Sequence, residues 1–350
     1  MSKKQKRPLI SRIFRGIAIA LLCVCVVYIG FYVGTGLVYR DFFSEAKTEF
    51  VTPGLGDGVV PQGFTYSPEK NVYLQCGYMT DGTSASRIYI IDGKDTAKTR
   101  YVNLIDQTGS SYLGHTGGIT VSGDFVWLAN DGDENDNCVW VLSLSEILAC
   151  ENGGAVALTN AFYPESRSAY CYADDEYLWV GEFYRDVDYP TDESHAFPAK
   201  SEDGTQNALI CAYRLDGTKA NGLASDTPEM LLSVTDHVQG FTRTPDGKFI
   251  LSTSWSLTTS KLHFHANVLE NDANSTLEVN GKQVPVWYLD TDSEEQVLEL
   301  PPMSEEIIVK DGRVWVVLES ACQKYIFGNF LRSTFTYSYP LEDVIVPVSK

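Results

Sequence analysis

Residue types able to do chemistry recur at one position of a repeated phrase. Five segments share it: QGFTYSPEKNVYLQCGY from Gln62, GGITVSGDFVWLAND from Gly117, SAYCYADDEYLWVGEFY from Ser168, QGFTRTPDGKFILSTSW from Gln239 and EEIIVKDGRVWVVLES from Glu305. Their first residues fall into one ring, Gln62, Gly117, Ser168, Gln239 and Glu305, flanked by His115, Arg167 and His237. Each phrase ends near a second polar or aromatic position, which brings Glu182, Glu319 and Trp255 to the same region. Glu305 and Glu182 are candidates for general acid and base, with His115 placed to orient a substrate. Gln62, Arg167, Ser168, Gln239 and Trp255 supply the hydrogen bonds and aromatic surface of a small-ligand site. For any single ring residue the alternative is plainer: its side chain satisfies backbone groups round a water-filled channel.

Other constellations are weaker. Asp131, Asp133 and Asn135 are spaced like the start of a calcium loop, but Gly is missing at position six and Leu142 stands where the bidentate Glu belongs. An irregular Ca²⁺ site and a solvated acidic loop are the two readings. His263 and His265 share a strand face with no third ligand evident nearby. No Gly-x-Ser-x-Gly, P-loop or His-Glu-x-x-His pattern occurs.

Each phrase reads as strand, tight turn, strand, and is followed by a second pair such as SRIYIID and RYVNL, or CVWVLSL and AVALT. Eight Asp-Gly and three Asn-Gly steps supply hairpin turns. Four antiparallel strands recurring every 50 to 70 residues describe an all-β protein, a five-bladed β-propeller, from residue 61 to VIVPV at the C-terminal end. Six blades are the alternative, because residues 41–60 and the long fourth repeat have room for hidden strands. Residues 40–60, with Pro53, Gly54, Gly56 and Gly58, read as a linker that lifts the wheel off a membrane.

That membrane is implied by the N-terminal stretch. Residues 1–40 carry seven bases and no acid, which leaves 20 bases and 46 acids, a net of −26, in the rest. Residues 16–39 hold 24 uncharged residues, and about 20 suffice to cross the hydrocarbon core. A cytoplasmic basic segment (1–15), a signal-anchor transmembrane helix (16–39) and an extracytoplasmic body (61–350) follow, with the N-terminus in the cytoplasm of a single-pass cell-membrane protein. An acidic body excludes a nucleic-acid partner. Six cysteines lie outside the span at irregular spacings, mostly within apolar runs, which reads as buried thiols and leaves one or two disulfides open.

The phrases PQGFTY, GGITVSGD and QGFTRTPDGK, with SRIYIID, resemble the plant-type glutaminyl cyclases and related propellers over residues 61–320. The resemblance implies five blades around a channel-mouth site that cyclises N-terminal glutamine. Gln62 matches that family's Gln-Gly start in the first blade. Its Glu-Gly start in the second blade is Gly117-Gly118 here, so the acid is absent. The reading that follows is a membrane-anchored propeller that binds a small polar, peptide or glycan ligand at the channel mouth. The alternatives are a propeller enzyme of the hydrolase or glutaminyl-cyclotransferase kind, and a scaffold in a membrane complex.

Overall fold

The computed structural model describes residues 9–132, 137–201, 204–325 and 328–342. A 30-residue helix, α1 (Leu9–Val38), leads into a short helix, α2 (Arg40–Glu45), and then into strands. Within α1, Ile13–Val38 is long and apolar enough to cross a membrane, and its apolar stretch is not covered by the rest of the protein. Membrane anchors and signal sequences both have this form.

The strands form a five-bladed propeller. Counting from the axis outward, blade one is Val59–Ser67, Val72–Met79, Arg87–Asp92 and Thr99–Ile105. Blade two is Gly118–Ser122, Phe125–Asn130, Cys138–Ser143 and Ala161–Phe162. Blade three is Tyr170–Ala173, Tyr177–Gly181, Ala208–Arg214 and Met230–Val234. Blade four is Val238–Arg243, Phe249–Thr253, Ser260–His265 and Glu294–Leu300. Blade five is Ser304–Lys310, Arg313–Leu318 and Phe335–Pro340, completed by Lys47–Val51 from the other end of the chain.

That last strand corrects the expectation of a linker over 40–60. Lys47 pairs with Ser338 and Val51 with Phe335, so the segment closes the ring. Phe50 buries itself against Phe64, Tyr73 and Trp315, which a free spacer would not do. The extra strands that suggested six blades go elsewhere. Ser275–Val279 and Lys282–Tyr288 make a hairpin, turned by Asn280 (φ 51°) and Gly281 (φ 73°), that adds in parallel to the outer strand of blade three. AVALT is likewise not the outer strand of blade two. Ala155–Ala157 crosses back to pair in parallel with Thr99–Ile105 of blade one, and Ala161–Phe162 takes the place beside Cys138–Ser143. VIVPV lies outside the described residues.

The second strand of each blade explains the apolar runs. A central strand is buried on both faces, and alternate side chains feed opposite neighbours. In blade five Val314, Val316 and Leu318 pack with blade four, whereas Trp315 and Val317 pack with blade one. Trp127 and Trp179 fill the same kind of wedge between blades two and three and between three and four. All eight cysteines are free thiols, so the structure contains no disulfide. Cys76, Cys138, Cys171, Cys211 and Cys322 are buried, as the apolar runs around most of them imply.

A Ser or Asn stands at or just before the start of the third strand in blades one, two and four, and it has a physical reason. Ser86 Oγ donates to the Gly114 carbonyl (2.8 Å), Asn137 Oδ1 accepts from Ser168 N–H (2.8 Å), and Ser260 Oγ accepts from Ser304 N–H (3.1 Å). Each ties one blade to the inner strand of the next.

Candidate functional site

The inner strands start at one mouth of the central channel, and bulges there re-aim their side chains. The ladder between inner and second strand slips between Pro61 and Phe64, between Val238 and Gly240, and between Ser304 and Ile307. Gln62, Gln239 and Glu305 therefore leave the ladder at equivalent places. The glycine after each Gln is needed because the strands crowd the axis. A Cβ on Gly63 would stand 2.4 Å from the Ile119 nitrogen, and one on Gly240 would stand 2.7 Å from Cα of Glu306. Blade five carries Glu306 where blades one, two and four have glycine and blade three has Ala169. Its Oε2 accepts from the Ile119 N–H at 2.9 Å, which stitches blade five to blade two across the centre. Burial pushes this carboxyl well above the usual range, against the pull of the Ile119 and Phe64 amides.

Beside Glu306 the mouth holds a pair of buried carboxylates. Glu305 is 1% exposed, and among the described residues its carboxylate has no hydrogen-bond donor. Burial, then the charges of Glu319 and Glu306, push its pKa far up, opposed only by Lys324. Glu319 accepts from Gln62 Nε2 at 2.9 Å, and burial raises it to about 7 despite help from Lys324, Tyr325 and Gln62. Two like charges in one dry site do not both ionise, so near neutrality the pair holds a proton between them.

Around this pair stand a cation and polar rings. Lys324 Nζ donates to the Tyr78 hydroxyl (2.5 Å) and lies over the Tyr78 and Tyr325 rings at 5.0 and 5.4 Å. Both phenols are raised by burial and then by Glu319. His115 stacks at a tilt on Tyr78, with 5.0 Å between centroids. His115 is exposed at the mouth, yet crowding by protein and then the Lys324 charge lower it to about 4, so the ring is neutral at pH 7.

The other expected residues are placed differently. Glu182 is 1% exposed and fully engaged: it accepts from Arg167 N–H, Leu209 N–H and His195 Nδ1, each at 3.0 Å. Burial lowers His195, but the Glu182 bond and charge outweigh it and leave the imidazole raised. Ser168 Oγ is turned inward to Asn137 Oδ1 (2.6 Å) and the Cys138 carbonyl (3.1 Å). Arg167 pairs with Asp131 at 2.6 Å, which takes up the one carboxylate of the calcium-like spacing that is described. Asp133 and Asn135 lie outside the described residues. Among the described residues no three His, Cys, Asp or Glu side chains converge as a metal site requires. His263 is bound to Glu294 (2.7 Å) and Thr253 (3.0 Å), as a polar packing role implies.

Trp255 sits in a rim cluster. Arg185 covers it at 4.1 Å, His237 stacks at 6.1 Å, and Phe183 and Tyr189 meet its edges. Gln239 is half-buried in the blade-four bulge. The structure thus joins Gln62, Glu305 and His115 in one constellation, and adds Glu319, Lys324, Tyr78 and Tyr325. Of these, Glu319 was read from its repeat phrase, at the exit of a second strand; Tyr78 closes the first phrase at the same kind of exit and was passed over, whereas Lys324 and Tyr325 fall outside the phrases.

No protein-family model and no curated protein matches the sequence. Solved structures do match, at low identity. One is an aldose sugar dehydrogenase from Streptomyces coelicolor in its PQQ-bound form: 15% identity, TM-score 0.39, 78% of this chain and 77% of that one. Another is an exo-β-1,3-galactanase from Phanerochaete chrysosporium: 11% identity, TM-score 0.45, 85% and 64% covered. A third is a putative glucose dehydrogenase from Thermus thermophilus: 12% identity, TM-score 0.42, 84% and 99% covered. These comparisons show no link to the glutaminyl cyclases, and they identify neither a cofactor nor a substrate for this chain.

Proposed function

We propose that the chain is a single-pass membrane protein whose propeller, held outside the cytoplasm, binds a small polar ligand at the channel mouth. The observation that carries the binding is the Glu305–Glu319 pair, which offers a proton donor and an acceptor side by side in a dry setting. Hydroxyl and amino groups are the ligand chemistry such a pair recognises, with Gln62, Tyr78 and Lys324 as further partners. The anchor and its orientation rest on the apolar helix and the bases that precede it. Thermal unfolding of the full chain in nanodiscs, with a panel of sugars, amines and short peptides, tests the binding. A ligand should raise the Tm of the wild type and not that of Glu305→Gln or Glu319→Gln. Equal shifts in all three proteins would refute the assignment.

The same pair favours one second reading, an acid/base enzyme of the hydrolase or cyclotransferase kind. A carboxyl that titrates near 7 is suited to give and take protons at neutral pH. Turnover of a panel ligand by the wild type, absent in Glu319→Gln, would decide for it.

A further inference from the structure

The helix meets the wheel on the face that carries the channel mouth. Tyr39, one residue past α1, bonds Thr259 Oγ1 at 3.2 Å, and Thr259 lies in the loop between the second and third strands of blade four. The corresponding loop of blade five climbs along α1. Phe330 packs on Tyr28 and Phe31, with centroids 5.5 and 5.8 Å apart, and Arg332 donates to the Tyr32 carbonyl at 2.9 Å. That loop also supplies Lys324 and Tyr325 to the mouth. Loops joining second to third strands and the starts of inner strands share one face of a propeller, so α1 leaves the molecule from the mouth side.

Nothing separates the wheel from the span. α2 begins at Arg40, directly after Tyr39, and packs Phe42 on Tyr337 and Tyr339. Counted from Arg15, about 20 residues bring the far edge of the hydrocarbon to roughly residue 35. Phe330, beside Tyr28 and Phe31, is then at bilayer depth. Arg332 lies at its edge, where a long basic side chain reaches back to headgroups.

A second observation is independent of the helix. Outside α1, seven large hydrophobic residues are exposed among the described residues. Six of them, Val51, Leu113, Tyr163, Val187, Tyr189 and Leu257, sit in loops or at strand ends on the mouth face. The seventh, Val297, is on the outer strand of blade four, and the opposite face has none. Exposed apolar side chains gathered on one face mark a surface that meets something apolar.

We propose that the propeller lies face-down on the bilayer that holds α1, with its channel mouth toward the headgroups. Phe330 enters the leaflet and the apolar loop tips rest on it. This rests on reading α1 as a membrane span. It also narrows the ligand class: what reaches Glu305 and Glu319 comes from the membrane surface, as a lipid headgroup or a group carried on a lipid. Photo-crosslinking tests the docking. A benzophenone amino acid is placed singly at Leu257, Val187, Val26 and Glu176 of the full chain, in nanodiscs of alkyne-tagged phosphatidylcholine. Glu176 is exposed in a hairpin of the opposite face. Lipid adducts at Leu257 and Val187 comparable with Val26, and background at Glu176, are expected. Adducts at Val26 with only background at Leu257 and Val187 would overturn the docking. Absence of an adduct at Val26 would overturn the span itself, and the docking with it.

Discussion

The two faces of the wheel are made from the same strands and are covered differently. On the face away from the mouth, inner and second strands are joined by short polar turns such as Asp311-Gly312 (φ 52° and 70°) and Thr244–Lys248. Charges there are matched in place: Arg243 pairs with Asp174 at 3.0 Å, and Lys310 sits over Tyr66 and Trp315 at 4.9 and 5.3 Å. On the mouth face the loops are long, apolar tips are exposed, and two carboxylates share a site without a matching pair of cations. Turns close a blade at little cost, whereas the mouth holds groups whose burial opposes folding. Such groups persist where they serve something besides stability.

The sharpest way to break this contrast is at the axis. Gly63→Val would drive a side chain into the Ile119 backbone, which cannot yield without moving blade two. The soluble folded yield should collapse, whereas Gly312→Ala in the opposite turn should cost only about 1 to 2 kcal/mol by urea unfolding, the strain of a left-handed alanine. Next is Glu182→Ala, which strands the amides of Arg167 and Leu209 and the His195 ring. A loss of about 3 to 5 kcal/mol is expected, and folded survivors should bind ligand as before, which would separate this strut from the Glu305–Glu319 pair.

The pair itself gives a pH signature. Glu319 has a folded pKa of about 7, above its ordinary value of 4.5. The native state therefore holds a proton that the unfolded chain releases. Its contribution to stability is complete below about pH 4.5 and is lost as pH rises through 7. Denaturation between pH 5 and 8 should show the wild type weakening as pH rises and Glu319→Gln weakening by roughly 1 to 3 kcal/mol less, because Glu305 and Glu306, raised chiefly by burial, keep their own share of the slope. A flat wild-type profile would remove the shared proton from the account. The smallest effect belongs to the opposite face. Lys310→Met should cost about 1 kcal/mol at most and leave ligand binding unchanged.

Much of this was legible in the sequence. The five phrases located every inner and second strand, because a strand buried on both sides and turned by Asp-Gly or its equivalents has a local signature. The bulge residues Gln62, Gln239 and Glu305 were marked by the same register. Lys47–Val51 was not, since KTEFV becomes a strand only against Phe335–Pro340. Lys324 and Tyr325 return to the mouth through a loop with no pattern of its own. Glu182 and Glu305 look alike as letters. Among the described residues one has three donors and the other none, and donors are a property of the folded chain.

The closing strand also sets an order of events. Lys47 and Ser338 pair across a gap spanning nearly the whole chain, and Ser338 Oγ bonds Glu49 across 289 residues of sequence. The segment that is made early must therefore wait, unpaired, until almost the last blade has been synthesised. Until then its edge presents bare backbone, and the open face of blade one presents Phe64 and Tyr73, to any neighbouring chain, as slow, non-local pairings do. A nascent copy of this protein stays exposed to mispairing until Phe335–Pro340 has been made, and α2, by pinning the strand beside Tyr337 and Tyr339, ends that interval.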